Sequence, residues 1–221
     1  MASPSRSQAA DGVAAAPSAP ATGRTAPVTT LSEDDLSSAA QRDRRKRILD
    51  ATLALASKGG YDAVQMRAVA ERADVAVGTL YRYFPSKVHL LVSALAREFE
   101  QLEGRRKPLA GGDPRERMHL MLTQITRAMQ RDPLLTEAMT RAFMFADASA
   151  AAEVDRVGKV MDRFFARALA DDNPTDRQLA IARVISDVWL SNLVAWLTRR
   201  ASATDVTERL ELTVDLLIGD K

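Results

Sequence analysis

The chain has 221 residues, 46% of them apolar, and a formal net charge of +2, enough for one large or two small packed domains without covalent staples. It has no cysteine, and its two histidines, His89 and His119, lie far apart in sequence. This removes disulfides and thiolate chemistry and leaves little for a histidine-rich metal centre or a Ser-His-Asp triad.

In chain order, residues 1–40 contain 28 Ala, Ser, Thr, Pro or Gly and no aromatic residue. Such a composition cannot bury enough surface to offset chain entropy, so a disordered tail is expected over 1–37. The N-terminus offers Arg6 as its early cation and no apolar run, which does not read as a secretory signal. No stretch reaches roughly 18 uninterrupted apolar residues. A cytoplasmic protein without membrane, cofactor, metal or catalytic residues is expected.

Order is expected to begin near Ser37 or Ser38, either of which can cap a helix. Ile48, Leu49, Leu53, Leu55 and Ala56 then form the apolar stripe of a first helix, stopped by Gly59-Gly60. A short helix over 66–72, a turn at 73–76 and a very short helix over 77–83 follow. This is the build of a helix-turn-helix, in which one helix braces the unit and the next enters the DNA major groove.

A fourth helix opens at Pro85-Ser86 and buries Leu90, Leu91, Ala94, Leu95 and Phe99. Pro108 and Gly111-Gly112-Asp113-Pro114 form the clearest break; the domain boundary is expected at this loop or within the C-terminal half of the fourth helix, with a DNA-binding domain over 38–100 and a ligand-binding and dimerisation domain over 101–221. Five more helices are expected, over 114–131, 134–146, 149–170, 175–199 and a last one capped by Thr204 or Asp205 that ends near Gly219. No alternating strand pattern of useful length occurs. The chain reads as all-α.

Charge is distributed unevenly. Residues 41–110 hold 14 Lys and Arg against 8 Asp and Glu, whereas residues 1–40 and 111–221 each carry a balance of −2. The positive charge sits with the helix-turn-helix, as phosphate binding requires. Within that segment Val77, Gly78 and Thr79 open the third helix and let it approach a duplex closely. Thr79, Tyr81, Arg82 and Tyr83 supply hydroxyls, a charge and flat faces for phosphates, base edges and thymine methyls. Lys87 adds a cation in the first turn of the fourth helix, while Gln65 and Arg67 stand at the start of the second. Arg42, Arg44, Arg45, Lys46 and Arg47 read either as a basic arm before the first helix or as its solvated start. Leu80, Phe84 and one of the two tyrosines are expected in the small core.

Gly-Gly-Tyr-Asp-Ala (59–63), Arg-Ala-Val-Ala-Glu-Arg-Ala-Asp-Val-Ala-Val (67–77) and above all Gly-Thr-Leu-Tyr-Arg-Tyr-Phe-Pro-Ser-Lys (78–87) resemble the N-terminal domain of TetR-family transcriptional repressors. The likeness covers about residues 42–100. Three positions depart from the family pattern: Gln65 for a capping Thr or Ser, Asp74 for the turn glycine, and Ala76 for a serine that caps the third helix. Asp tolerates the left-handed conformation at modest cost, so the turn is expected to survive.

In that family the body is a helical bundle that dimerises through its last two helices and holds a small-molecule pocket. Independently, the eighth helix reads as apolar nearly all round, which calls for cover on both sides, and a homodimer implies a pseudo-palindromic double-stranded operator. Met118, Met121, Leu122, Ile125, Met129, Phe143, Met144, Phe145, Phe164 and Phe165 cluster in helices five to seven, and Trp189, Leu193 and Trp196 lie on helix eight. Methionine fills irregular space, so the cluster reads as a large apolar cavity for a small hydrophobic effector, or as plain core. Asn192 is a polar anchor or a backbone-satisfied amide; Arg141 receives an anionic group or is a surface arginine.

Residues 130–149 and 182–206 are similar to the KstR-type repressors of sterol catabolism. That resemblance implies control of cholesterol-degradation genes and release by a sterol-derived, steroid-ring CoA thioester. The alternatives are a TetR-type sensor of another acyl-CoA or a hydrophobic drug, a helical lipid-binding or acyl-transfer enzyme, and an architectural DNA-binding protein without effector.

Overall fold

The computed structural model describes residues 38–105, 112–170 and 173–219; the tail expected over 1–37 lies outside them. Among the described residues there is no strand. The fold is all-α, and local signals set the ends of its helices. Ser38 begins α1 (Ala39–Ala63) with a capping box: its Oγ accepts from the Gln41 N–H at 3.2 Å, and the Gln41 side chain accepts from the Ser38 N–H at 3.1 Å. The basic run at 42–47 therefore lies on the first turns of α1. It is not an arm preceding the helix. The regular helix breaks at Gly59-Gly60, where Gly60 takes φ +66°, a conformation that favours glycine.

Two short helices follow, α2 (Met66–Arg72) and α3 (Val77–Tyr83). The turn between them is made by Asp74 at φ +53°, and Arg47 Nη1 donates to the Ala73 carbonyl at 2.7 Å, satisfying the end of α2. Neither Gln65 nor Ala76 makes a side-chain cap, as their departure from the family pattern implied.

The long α4 (Lys87–Arg105) starts beside α3 and runs on against α6 and α7, so one rigid element is shared by the small N-terminal core and the body. Its Glu100 carboxylate accepts from Arg156 Nε and Nη2 at 2.8 and 2.9 Å, a bidentate pair that fixes α4 to α7. Asp113 caps α5 (Pro114–Arg131) and Asp132 caps α6 (Pro133–Met144), each with proline at the tolerated first helical position. A 3-10 turn at Ala148–Ala150 leads into α7 (Ala151–Leu169), so the seventh helix begins two residues later than its sequence pattern implied.

Capping boxes open α8 (Asp176–Leu197, Thr175 with Gln178) and α9 (Ala203–Ile218, Ser202 with Asp205). The α9 cap is thus Ser202 rather than Thr204 or Asp205. Asp205 returns the bond from the third helical position, a reciprocal role the sequence pattern could equally hold.

In the body, α7 packs against α4, α5 and α8, α9 against α5 and α8, and α6 closes the side facing α1. Phe99, Phe164, Phe165 and Trp189 form its aromatic centre with edge-on and tilted contacts at 5.5–6.3 Å, each pair contributing about 0.5–1.5 kcal/mol beyond area burial.

Among the described residues α8 alone is long and apolar enough to cross a membrane by length and composition. Ile185, Trp189, Asn192 and Leu193 instead anchor it in the body. Its outward side is not wholly apolar: Arg183, Val184, Asp187 and Ser191 are exposed there, which corrects the expectation of an all-round apolar helix.

Candidate DNA-reading face and effector chamber

The α3 helix is seven residues long and gains its stability from one packed side. Leu80, Tyr83 and Phe84 are buried with Ile48, Leu49, Val69 and Ala70. That leaves Val77, Gly78, Tyr81 and Arg82 on the outward side, all exposed, with Thr79 half-buried. Helical spacing puts 77, 78, 81 and 82 on a single face. Gln65 and Arg67 are exposed at the adjoining start of α2. A Cβ built on Gly78 meets nothing within 4 Å, so no internal contact calls for glycine there, although alanine is the better helix former.

Two expected contacts are placed differently. Tyr83 is the tyrosine of the core, 6% exposed and packed on Phe84 at a centroid distance of 6.4 Å. Its position one turn after Thr79 turns it inward, so it is withdrawn from the reading face. Arg45 lies 5.4 Å from the Phe84 ring centroid, and burial, together with the neighbouring Arg97, moves its guanidinium below its ordinary value, with Glu100 opposing. It is a bracing cation, not a projecting one. Arg44 stays half-exposed on the first turns of α1.

Lys87 sits with its Nζ 3.8 Å from the Tyr61 ring centroid, and Arg141 of α6 lies 4.4 Å from the same centroid. Partial burial and the nearby Arg141 hold Lys87 below its ordinary value, with Asp62 opposing. Arg141 also faces Glu137 at 3.8 Å. It therefore belongs to the seam between α6 and the end of α1 rather than to a ligand site.

A separate link, from α4 to the 3-10 turn that precedes α7, runs through His89. Its Nε2 lies 2.7 Å from the Ser149 carbonyl and its Nδ1 2.8 Å from Ser86 Oγ. A carbonyl only accepts, so Nε2 carries the proton and Nδ1 accepts from the serine. No local pattern signals this bridge, because its partners are 60 residues apart.

In the body, an apolar slot lies among Leu95 and Phe99 of α4, Met129 of α5, Met139, Thr140 and Phe143 of α6, Val157 and Met161 of α7, and Trp189, Leu190 and Leu193 of α8. Its free volume is about 20 Å³, room for about one water. The large cavity expected from sequence is therefore closed. Pliable methionines and the Phe99, Phe143 and Trp189 rings occupy the space.

Of the expected ligand residues, Met129, Phe143, Trp189 and Leu193 line this slot, and Trp196 lies at a throat beside it. Leu122 faces a separate groove of about 350 Å³ between α5 and α9. Met118, Met121, Ile125, Phe164 and Phe165 are buried core behind the slot. Met144 and Phe145 end α6 and are 49% and 76% exposed, because the helix stops at Met144 and turns them outward. The Asn192 amide donates to the Val188 carbonyl at 2.9 Å, so one of its N–H groups is satisfied within α8, as the alternative reading expected. Met139, Thr140 and Met161, with Leu95, Phe99, Thr136, Val157 and Leu190, complete the lining and were not among the expected ligand residues; for the two methionines, their place in the methionine cluster of α6 and α7 was the available signal.

Comparison with known proteins supplies the remaining findings. Residues 48–94 match the model for bacterial regulatory proteins of the tetR family, and residues 111–217 match the model for the tetracyclin repressor-like C-terminal domain. The chain is 81% identical over 196 residues to the HTH-type transcriptional repressor KstR of Rhodococcus jostii (strain RHA1), covering 89% of this chain and 92% of that protein. It is 74% identical over 194 residues to the protein of the same name from Mycolicibacterium smegmatis, covering 87% and 95%. A crystal structure of a TetR transcriptional regulator from Rhodococcus sp. RHA1 superposes with a TM-score of 0.74 at 30% identity, covering 83% of this chain and 99% of that one.

Proposed function

This chain belongs to the TetR family of bacterial DNA-binding transcriptional repressors, and from that premise we propose that it works as a cytoplasmic homodimer. It holds a pseudo-palindromic operator until a sterol-derived CoA thioester enters the slot, and so controls cholesterol-degradation genes. We divide it into a reading head over 38–100 and a sensing body over 101–221. The KstR-type resemblance and the 81% identity to a repressor of that name support the sterol assignment.

The observation that carries the reading is the outward face of α3, with Val77, Gly78, Tyr81 and Arg82 exposed while the opposite face is packed. Tyr81 and Arg82 provide contacts to bases and phosphates, Gly78 permits close approach, and Thr79, Gln65, Arg67, Arg44 and Lys87 add backbone contacts. Exposed Leu212 and Leu216 on α9 and Val184 on α8 support a second copy as the cover of this side. A twofold pair of heads then demands two half-sites about one helical turn apart.

Release follows from the position of α6. Met139, Thr140 and Phe143 face the slot, whereas Arg141 lies over Tyr61, and Leu134 and Glu137 come within 4 Å of a Cβ built on Gly60. A ligand that widens the slot displaces α6 against the end of α1 and shifts the Lys87–Tyr61 contact. For a near-complete switch the ligand must favour the operator-incompatible state by about 5 kcal/mol.

The test is a gel-shift titration on an inverted repeat selected from a random duplex pool, with and without a steroid-ring CoA thioester. The expected result is release of DNA as the thioester saturates. Unchanged operator affinity at saturation would remove the sensor assignment, and release by a long-chain acyl-CoA alone would move the assignment to fatty acids.

A further inference from the structure

The groove, throat and slot of the body are continuous in their lining residues. We infer that the α5/α9 groove is the entrance and polar-head subsite for an amphipathic effector, whose apolar body passes a Thr126–Trp189 latch to reach the slot. This rests on the effector reading above.

The groove exists because α5 and α9 are pinned together at one end. Arg115 Nη2 and His119 Nε2 lie 2.7 and 3.1 Å from Asp215 Oδ1, while the facing residues toward the other end, Thr123, Thr204, Thr207 and Ala203, are small. About 350 Å³ remains open between them, within the range of small-molecule sites. Its walls offer hydroxyls, the Gln130 amide and the Arg127 guanidinium, with Glu211 as the single acid among the lining residues. That chemistry suits a hydrogen-bonding, anionic head.

Thr126 and Gln130 belong to both the groove and the throat, and Trp189 and Leu193 belong to both the throat and the slot. Polarity therefore falls along one path, from threonines and arginine outside to phenylalanine and methionine inside. The throat has no free volume, and Trp189 Nε1 donates to Thr126 Oγ1 across it at 3.2 Å. Passage requires that bond to open and the indole to swing.

The chain has two tryptophans, Trp189 and Trp196, and both line the throat, so intrinsic fluorescence reports entry directly. Stopped-flow mixing with a steroid-ring CoA thioester should give an emission change in the wild type. T126V keeps the side-chain shape and removes the acceptor, so entry should quicken by about five-fold, the equivalent of one net hydrogen bond. T207W fills the groove and should slow entry by about ten-fold or more while leaving effector-free operator affinity unchanged. T204W replaces it should T207W fail to bind operator. R127Q should weaken the thioester several-fold and leave an uncharged steroid unaffected.

Wild-type entry rates in T126V and in the groove-filling variant overturn the inference while the sensor reading stands. A wild type whose emission and operator binding both ignore the thioester overturns the sensor reading and the entrance with it.

Discussion

The reading face and the slot are built in opposite ways. On α3 the side chains proposed to act point outward, and a small core beneath them fixes their positions; Tyr81 is 42% exposed while Leu80 beside it is fully buried. In the body the side chains proposed to act are themselves packed at the core, and Met129, Met139, Phe143 and Trp189 line one slot with little free space. Function and stability are separable at the head and entangled in the body. A sensor whose empty slot is nearly closed must exchange its own packing for contacts to the ligand.

The largest expected effect breaks the body side of this contrast. Phe99→Ala removes a fully buried ring that meets Phe164 and Trp189 and should cost about 3–5 kcal/mol in chemical denaturation. On the head, Tyr81→Ala and Arg82→Ala should each weaken operator binding by about 1–3 kcal/mol in a salt-matched titration, with the melting temperature held. A large loss of stability in either variant would make the face structural.

Next in size is the seam. Arg141→Gln removes one of the two cations from Tyr61, a contact worth about 0.5–2 kcal/mol. Thioester binding should persist by fluorescence while its effect on operator affinity shrinks several-fold; an unchanged coupling would exclude this route. Gly78→Ala then sharpens the comparison, because fold and function should move in opposite directions. Stability should rise by up to about 1 kcal/mol from helix propensity, and operator affinity should fall as the new methyl meets the duplex.

The smallest effect concerns pH. The Arg115 hydrogen bond, and then that of His119, holds the Asp215 carboxyl below the usual carboxylate range. A depressed carboxylate contributes stability that is present above its unfolded value, about 4, and lost as pH falls through the folded one. The melting-temperature difference between wild type and Asp215→Asn should therefore be small near neutrality and vanish in acid. A difference that grows in acid would contradict the α5–α9 pin.

The same contrast explains what could be read from sequence. The head is local: the bounds of α2 and α3, the left-handed Asp74 and the uncapped Ala76 all follow from residues within a few positions of one another. Its errors, Tyr83 and Arg45, concern which side of a helix a residue faces, and that depends on Phe84 and Glu100 across the packed core. The helices of the body were legible from prolines, caps and apolar spacing. The slot was not, because its lining comes from five helices, and a methionine-rich sequence reads alike whether the space it surrounds is open or filled. The His89–Ser149 bridge and the Tyr61 stack are likewise products of tertiary packing.

Amide hydrogen exchange on one sample taken through three states tests the central claim most directly: protein alone, with the selected inverted repeat, and with repeat plus steroid CoA thioester. The account predicts slowed exchange over 65–87 with DNA, reversed when the thioester is added, together with altered exchange over 129–143 and 189–196. Protection by DNA that bypasses 77–83, or a thioester that alters the body without releasing the head, would contradict it.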